Sequence, residues 1–141
     1  MRVGRQNSMN LLRQIAEMAG KNCSITVLSY SVTDGWLRQL GKLRRDFDIN
    51  KVTIVLDRDV MIRHRQLLNQ LENTVDEIYL SDSHAKMYLA QSEKYEVAVI
   101  TSANATNNYR NECYYATDRK PELEQLTADL RGILGKAFRI K

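Results

Sequence analysis

Short apolar runs, too brief to be helices and separated by stretches with helical spacing, constrain this chain more than any other feature. Ser24-Ile25-Thr26-Val27-Leu28-Ser29 and Lys51-Val52-Thr53-Ile54-Val55-Leu56 are rich in β-branched residues, and Glu96-Val97-Ala98-Val99-Ile100 is apolar on both faces, as a central strand requires. Around them lie amphipathic stripes. Leu11, Leu12, Ile15, Met18 and Ala19 share one face of a helix over residues 8–19, with Gly20 as its stop. Thr33 or Asp34 can cap a second helix burying Trp36, Leu37, Leu40 and Leu43. A third runs from the polar residues 57–59 through Ile62, Leu67, Leu68 and Leu71. Pro121 suits the start of a last helix whose stripe of Leu123, Leu126, Leu130, Ile133 and Leu134 stops at Gly135.

Strand, helix, strand, helix implies layered α/β architecture with a partly parallel sheet. Shorter strands at 77–80 and 84–89, joined by the turn-prone Ser81-Asp82-Ser83, are spaced as antiparallel neighbours, and residues 112–116 supply one more. The expectation is a three-layer α/β/α sandwich with a mixed sheet. With 141 residues, no internal repeat and no linker, positions 1–141 are expected to form a single domain.

The chemistry-bearing residues flank the central run. On an extended strand His84 and Lys86 project to the same side, and Ser102 and Asn104 do so if extension persists past Ile100. Imidazole, ammonium, hydroxyl and amide in one small volume suit a phosphate: the ammonium offsets charge, hydroxyl and amide donate to non-bridging oxygens, and imidazole is the natural nucleophile or proton carrier. No cluster of metal-ligating residues accompanies them, and Cys23 and Cys113 have neither CxxC nor zinc spacing, so both are expected to be reduced.

In order and spacing, His84-x-Lys86, Ser102-x-Asn104 and Asn111-Glu112 resemble the phospholipase D superfamily, whose signature is HxK, four residues, Asp, then GSxN after a strand and a later Asn/Glu pair. The likeness extends over most of the chain and is closest to the single-motif endonuclease branch. It implies a phospholipase D-like fold and a metal-independent phosphodiesterase without cofactor, in which His84 attacks phosphorus to give a phosphohistidine. Lys86, Ser102 and Asn104 would then hold the phosphate and Glu112 would orient the imidazole. A second histidine must protonate the leaving oxygen, and one motif per chain implies a homodimer with the site on its twofold axis. His64, the other histidine, lies between Arg63 and Arg65 and is expected to be a solvated helix residue.

Two positions depart from the signature: Gln91 stands where the family has Asp, and Thr101 where it has Gly. The alternative is therefore a catalytically impaired nucleic-acid-binding module of the same fold. Nucleic acid is the expected partner, because the net charge is +4 and basic residues cluster at Lys42, Arg44 and Arg45 and at Arg58, Arg63 and Arg65. Tyr30, after the first apolar run, is expected to line the cleft, and Arg58 and Arg110 to meet substrate phosphates. The N-terminus lacks an apolar segment, and no window has the length of a membrane span, so the expected setting is cytoplasmic and membrane-free.

Overall fold

The computed structural model describes residues 1–141, and the strands expected from sequence are joined by two more near its ends. In chain order the elements are β1 (Arg2–Gln6), α1 (Ser8–Ala19), β2 (Cys23–Leu28), α2 (Asp34–Asp46), β3 (Ile49–Asp57), α3 (Arg58–Arg63), a 3-10 turn (Arg65–Leu67) and α4 (Leu68–Thr74). There follow β4 (Glu77–Ser81), β5 (Met87–Gln91), β6 (Glu96–Thr101), β7 (Arg110–Thr117), α5 (Lys120–Lys136) and β8 (Phe138–Arg139). All strands belong to one mixed sheet in the order β1-β7-β6-β5-β2-β3-β4-β8. β2, β3 and β4 run parallel, whereas β5 is antiparallel to both its neighbours, β2 and β6.

Alternation along the central strands explains the three layers. Val52, Ile54 and Leu56 of β3 face one side, where Leu12 and Ile15 of α1, Trp36 and Leu40 of α2, Met61 of α3 and Leu71 of α4 complete a single large core. Val55 of β3, with Leu28, Met87, Leu89 and Ala98, faces the other side and meets Leu123 and Leu130 of α5. Burial on both faces is the physical reason that β3 from Val52 to Leu56 is apolar at every position but Thr53. No helix is long and apolar enough to cross a membrane.

Caps agree with local chemistry. Asn7 accepts from Asn10 N–H at the start of α1, Thr33 rather than Asp34 caps α2 through Trp36 N–H, and Asp57 caps α3 through Val60 N–H. Gly20 ends α1 at φ +83°, a left-handed conformation that a side chain would oppose. Three sequence expectations need correction. The third helix is broken into α3, the 3-10 turn and α4, because His64 leaves the helical region at φ −124° and ψ 47°. The strand expected over 84–89 starts only at Met87, since the preceding residues lie beyond the last β5 partners, Leu28 and Ile100. The last helix passes through Gly135 to Lys136.

β4 is fastened to both neighbours by Glu77, which takes Lys51 Nζ of β3 at 2.9 Å, Thr53 Oγ1 at 3.2 Å and an Arg139 guanidinium nitrogen of β8 at 3.4 Å. The Lys51 ammonium, aided by Thr53 and Arg139, holds this carboxyl below the usual carboxylate range. A carboxyl depressed in the folded state stabilises above its unfolded pKa and ceases to do so as pH falls through the depressed value. Glu77→Gln is therefore expected to lower the urea midpoint at neutral pH and to match wild type in strong acid, read from parallel denaturation curves.

Candidate active site

Because β5 runs against β2 and β6, its first residues lie at the sheet edge where β2, β3, β4 and β6 end. His84 and Lys86 precede β5, Tyr30 follows β2, Arg58 follows β3, and Ser102 and Asn104 follow β6, so all six reach one edge. Arg110 and Glu112 join them at the start of β7, in a segment paired with β1. Arg110 is thus a strand residue, although the sequence around it reads as a loop.

His84 and Lys86 do not sit on a strand, and a chain of short-range hydrogen bonds positions them instead. Ser81 Oγ accepts from Ser83 N–H at 3.1 Å, Ser83 Oγ accepts from Ala85 N–H at 3.1 Å, and Lys86 Nζ donates to His84 O at 3.1 Å. These serine turns are the device that tightens the loop. Lys86 O accepts from Thr101 N–H at 3.2 Å, which joins the two half-motifs through their backbones. The exposed His84 ring rests against the Tyr30 ring, with centroids 4.5 Å apart and planes at 34°.

Tyr30 also touches the second half-motif. Its N–H donates to Asn104 Oδ1 at 3.2 Å, and Ser29 Oγ approaches the same oxygen at 3.3 Å. A backbone N–H can only donate, so the amide oxygen must face Tyr30 and the Nδ2 donors must point away from it. Ser29 is buried at 1% exposure and ties this corner together: its hydroxyl donates to Ser31 O at 2.7 Å and accepts from Ala105 N–H at 2.8 Å. Sequence reasoning took Ser29 for the end of an apolar run. A hydroxyl closing such a run, where nothing else can satisfy the turn that follows, was the available signal.

Ser102 donates to Glu112 and accepts from Cys113 N–H at 3.0 Å. Glu112 thus meets Ser102 within the chain, where the resemblance had it orienting the imidazole. Thr101, in place of glycine, shapes the same turn: its hydroxyl donates to Cys113 O at 2.9 Å and accepts from Ala103 N–H at 3.0 Å. Tyr88 donates to Ala103 O at 2.6 Å, and burial pushes its hydroxyl well above the usual tyrosine range, so it remains a donor. Further along the loop Thr33 Oγ1 donates to Asn107 Oδ1 at 3.2 Å, and Asn107 Nδ2 lies 2.8 Å from where a Cβ on Gly35 would stand. Only glycine admits that approach without moving Asn107.

Gln91 is the last residue of β5, opposite Ser24 and Glu96, about 16 Å along the strand from Lys86. This departure from the family signature therefore lies at the far end of the sheet, whereas Thr101 lies at the edge itself. His64, exposed beyond the end of α3, makes no ring contact with His84. Arg58 and Arg110 reach the edge as exposed side chains, outside every ion pair of the chain. Cys23 is buried and Cys113 exposed, both as free thiols.

No protein-family model matches the sequence, and no curated protein matches it. Among solved structures the chain is similar to the phospholipase D family member Nuc from Salmonella typhimurium, with TM-score 0.62 and 15% identity over 99% of this chain and 97% of that one. It is similar to NucT from Helicobacter pylori, with TM-score 0.61 and 17% identity over 96% and 97% of the two chains. A polyphosphate kinase from Porphyromonas gingivalis gives TM-score 0.59 and 15% identity over 99% of this chain but 23% of the other. The chain has the phospholipase D fold, an α/β/α sandwich with a mixed sheet.

Ser29→Ala removes one donor and leaves the buried Ala105 N–H and Ser31 carbonyl without this partner. The expected cost is about 1–3 kcal/mol by chemical denaturation, because unpaired buried groups bear their full desolvation penalty. An unchanged midpoint would show that the corner is held by other contacts.

Proposed function

We propose that this chain uses the phospholipase D fold as a phosphodiesterase on nucleic acid, a nuclease that works through a phosphohistidine at a site shared by two copies. The carrying observation is that His84-x-Lys86 and Ser102-x-Asn104 meet at one sheet edge, linked through Tyr30 and through Lys86 O to Thr101 N–H. A ring nitrogen of His84 attacks phosphorus, the bond to the leaving oxygen breaks, and a second imidazolium supplies the proton that oxygen takes up. That imidazole, now neutral, deprotonates water, which attacks the phosphohistidine and releases His84. Lys86 and the Asn104 Nδ2 donors stabilise the charge that develops on the non-bridging oxygens. Ser102 can join them once its proton leaves Glu112.

The second imidazole is the reason for two copies. His64, at the end of α3, makes no ring contact with His84, and the partner that fits is another His84, which a twofold axis supplies. Nucleic acid is favoured by Arg58, Arg63 and Arg65, exposed beside the end of β3 and free of ion pairs, with Arg110 on the opposite flank. Nowhere do three His, Cys, Asp or Glu side chains converge as a metal cage would require.

Purified protein incubated with single- and double-stranded DNA and RNA in EDTA is expected to cleave, and His84→Ala to lose at least about a thousandfold of that rate. Cleavage that stops in EDTA, or survives the substitution, overturns the mechanism. Salt-sensitive binding with no cleavage by either protein selects the binding module instead. Gln91→Asp is expected to stay within about twofold of wild type, since residues remote from a site rarely alter it. Specific activity is expected to fall on dilution in step with the dimer fraction measured by sedimentation.

A further inference from the structure

A groove of about 520 Å³ lies between α2 and α4, on the helical layer that covers the larger core. Its walls carry three guanidinium groups, Arg38, Arg44 and Arg45, with the amides of Gln70 and Asn73 facing them and no carboxylate among the lining residues. Gly41, on the α2 wall, has no side chain to fill the space between Arg38 and Arg45.

The three arginines differ in how they are held. Arg44 is fixed: its fork donates to Thr74 O at 2.9 Å and Asn50 O at 3.4 Å and pairs with Asp76 at 3.0 Å. Arg38 pairs with Asp34 one turn earlier on the exposed face of α2. Arg45 is exposed and takes part in no ion pair, so its charge is uncompensated. The Gln70 amide nitrogen donates to Asp34 O at 3.3 Å, and it is the planar guanidinium forks that match phosphate oxygens better than they match any neutral ligand.

Position relates the groove to the candidate site. The start of α2 is tied to the loop after Asn104: Thr33 N–H donates to Ala105 O at 3.0 Å, Thr33 Oγ1 donates to Asn107, and Val32 bridges Ala105. From that tie the helix runs away from the catalytic edge, and Arg38 and Arg45 are about 10 Å apart along it. His84 lines a cavity against Leu126, Leu130 and Ile133 of α5, on the other face of the sheet, so a strand whose reacting phosphate lies there crosses the end of the sheet before it meets Arg38 and then Arg45.

We propose that the α2–α4 groove is a second nucleic-acid contact, which holds backbone phosphates of the same strand several nucleotides from the bond that is cut. It rests on the nuclease reading and adds to it a dependence on substrate length. Arg45 binds by charge and fork geometry, and Arg38 exchanges its Asp34 partner for a phosphate. Base identity has no part in the contact, so it is sequence-independent.

Arg45→Glu and the double variant Arg38→Glu/Arg45→Glu test this with two substrates. On a small nitrophenyl phosphodiester, which reaches only the edge, both variants are expected to keep kcat and KM within about twofold of wild type. On a long single-stranded oligonucleotide KM is expected to rise about tenfold for Arg45→Glu, and the slope of log affinity against log salt to shallow by about one. Equal behaviour of variant and wild type on the long substrate, or equal loss on both substrates, overturns the proposal. If wild type hydrolyses neither substrate, the nuclease reading fails by itself. The groove is then judged by fluorescence anisotropy of the same oligonucleotide on His84→Ala protein with and without Arg45→Glu: a tenfold weaker Kd supports it and an unchanged Kd overturns it.

Discussion

The reversal of β5 between β2 and β6 is the constraint on which the rest of the molecule depends. In a purely parallel sheet the residues before a strand lie at the opposite edge from the residues after its neighbours. Here one inverted strand brings His84 and Lys86, which enter it, to the place where Tyr30, Asp57 and Ser102 leave theirs. The core then has only to hold that strand. Met87 and Leu89 are pinned from the α5 side and Tyr88 and Ala90 from the other, so β5 can neither slip by one residue nor turn without exposing a buried set.

Polarity at the edge is set by groups that can bond in one sense only. Backbone N–H groups at Tyr30, Ala103, Ala105 and Cys113 each point at a side-chain oxygen, and so dictate how Asn104, Thr101, Ser29 and Ser102 must orient. The protein thereby presents amide and ammonium donors outward and holds its acceptors inward. Donors aimed in this way need no reorganisation to meet an anion, which is what preorganisation means in energetic terms.

Much of this was legible in the sequence. β2, β3 and β6 were readable because burial on both faces leaves β-branched runs, and α1, α2 and α5 because their stripes are strictly periodic. β1 was not, since Arg2-Val3-Gly4-Arg5-Gln6 is an edge strand with little to bury and becomes extended only by pairing with β7. β8, two residues long, is likewise a product of its neighbour β4. The two motifs do meet at one edge, but the argument from strand alternation failed at both halves, because His84 and Asn104 lie in turns held by serine and threonine hydroxyls. At Asn104 the contacts reach back to Ser29 and Tyr30, far away in the chain, which no local pattern displays. The position of Gln91 shows the converse: spacing along a motif says nothing about distance from the reacting atoms until the strand between them is known to be extended.

Residues 110–113 of β7 run past the end of β6 and find their strand partner only in β1, at the opposite end of the sequence. Glu112 and, through it, Ser102 are therefore secured by the most non-local pairing in the sheet and by a strand that is largely solvent-exposed. Such a pairing forms late in folding, because its loop-closure entropy is recovered only after the intervening strands are in place. Exposed terminal pairings of this kind belong to the low-stability end of a structure's local openings. The chain is thus built so that the segment carrying Glu112 can part from the sheet while the core around Trp36 and Tyr88 stays intact.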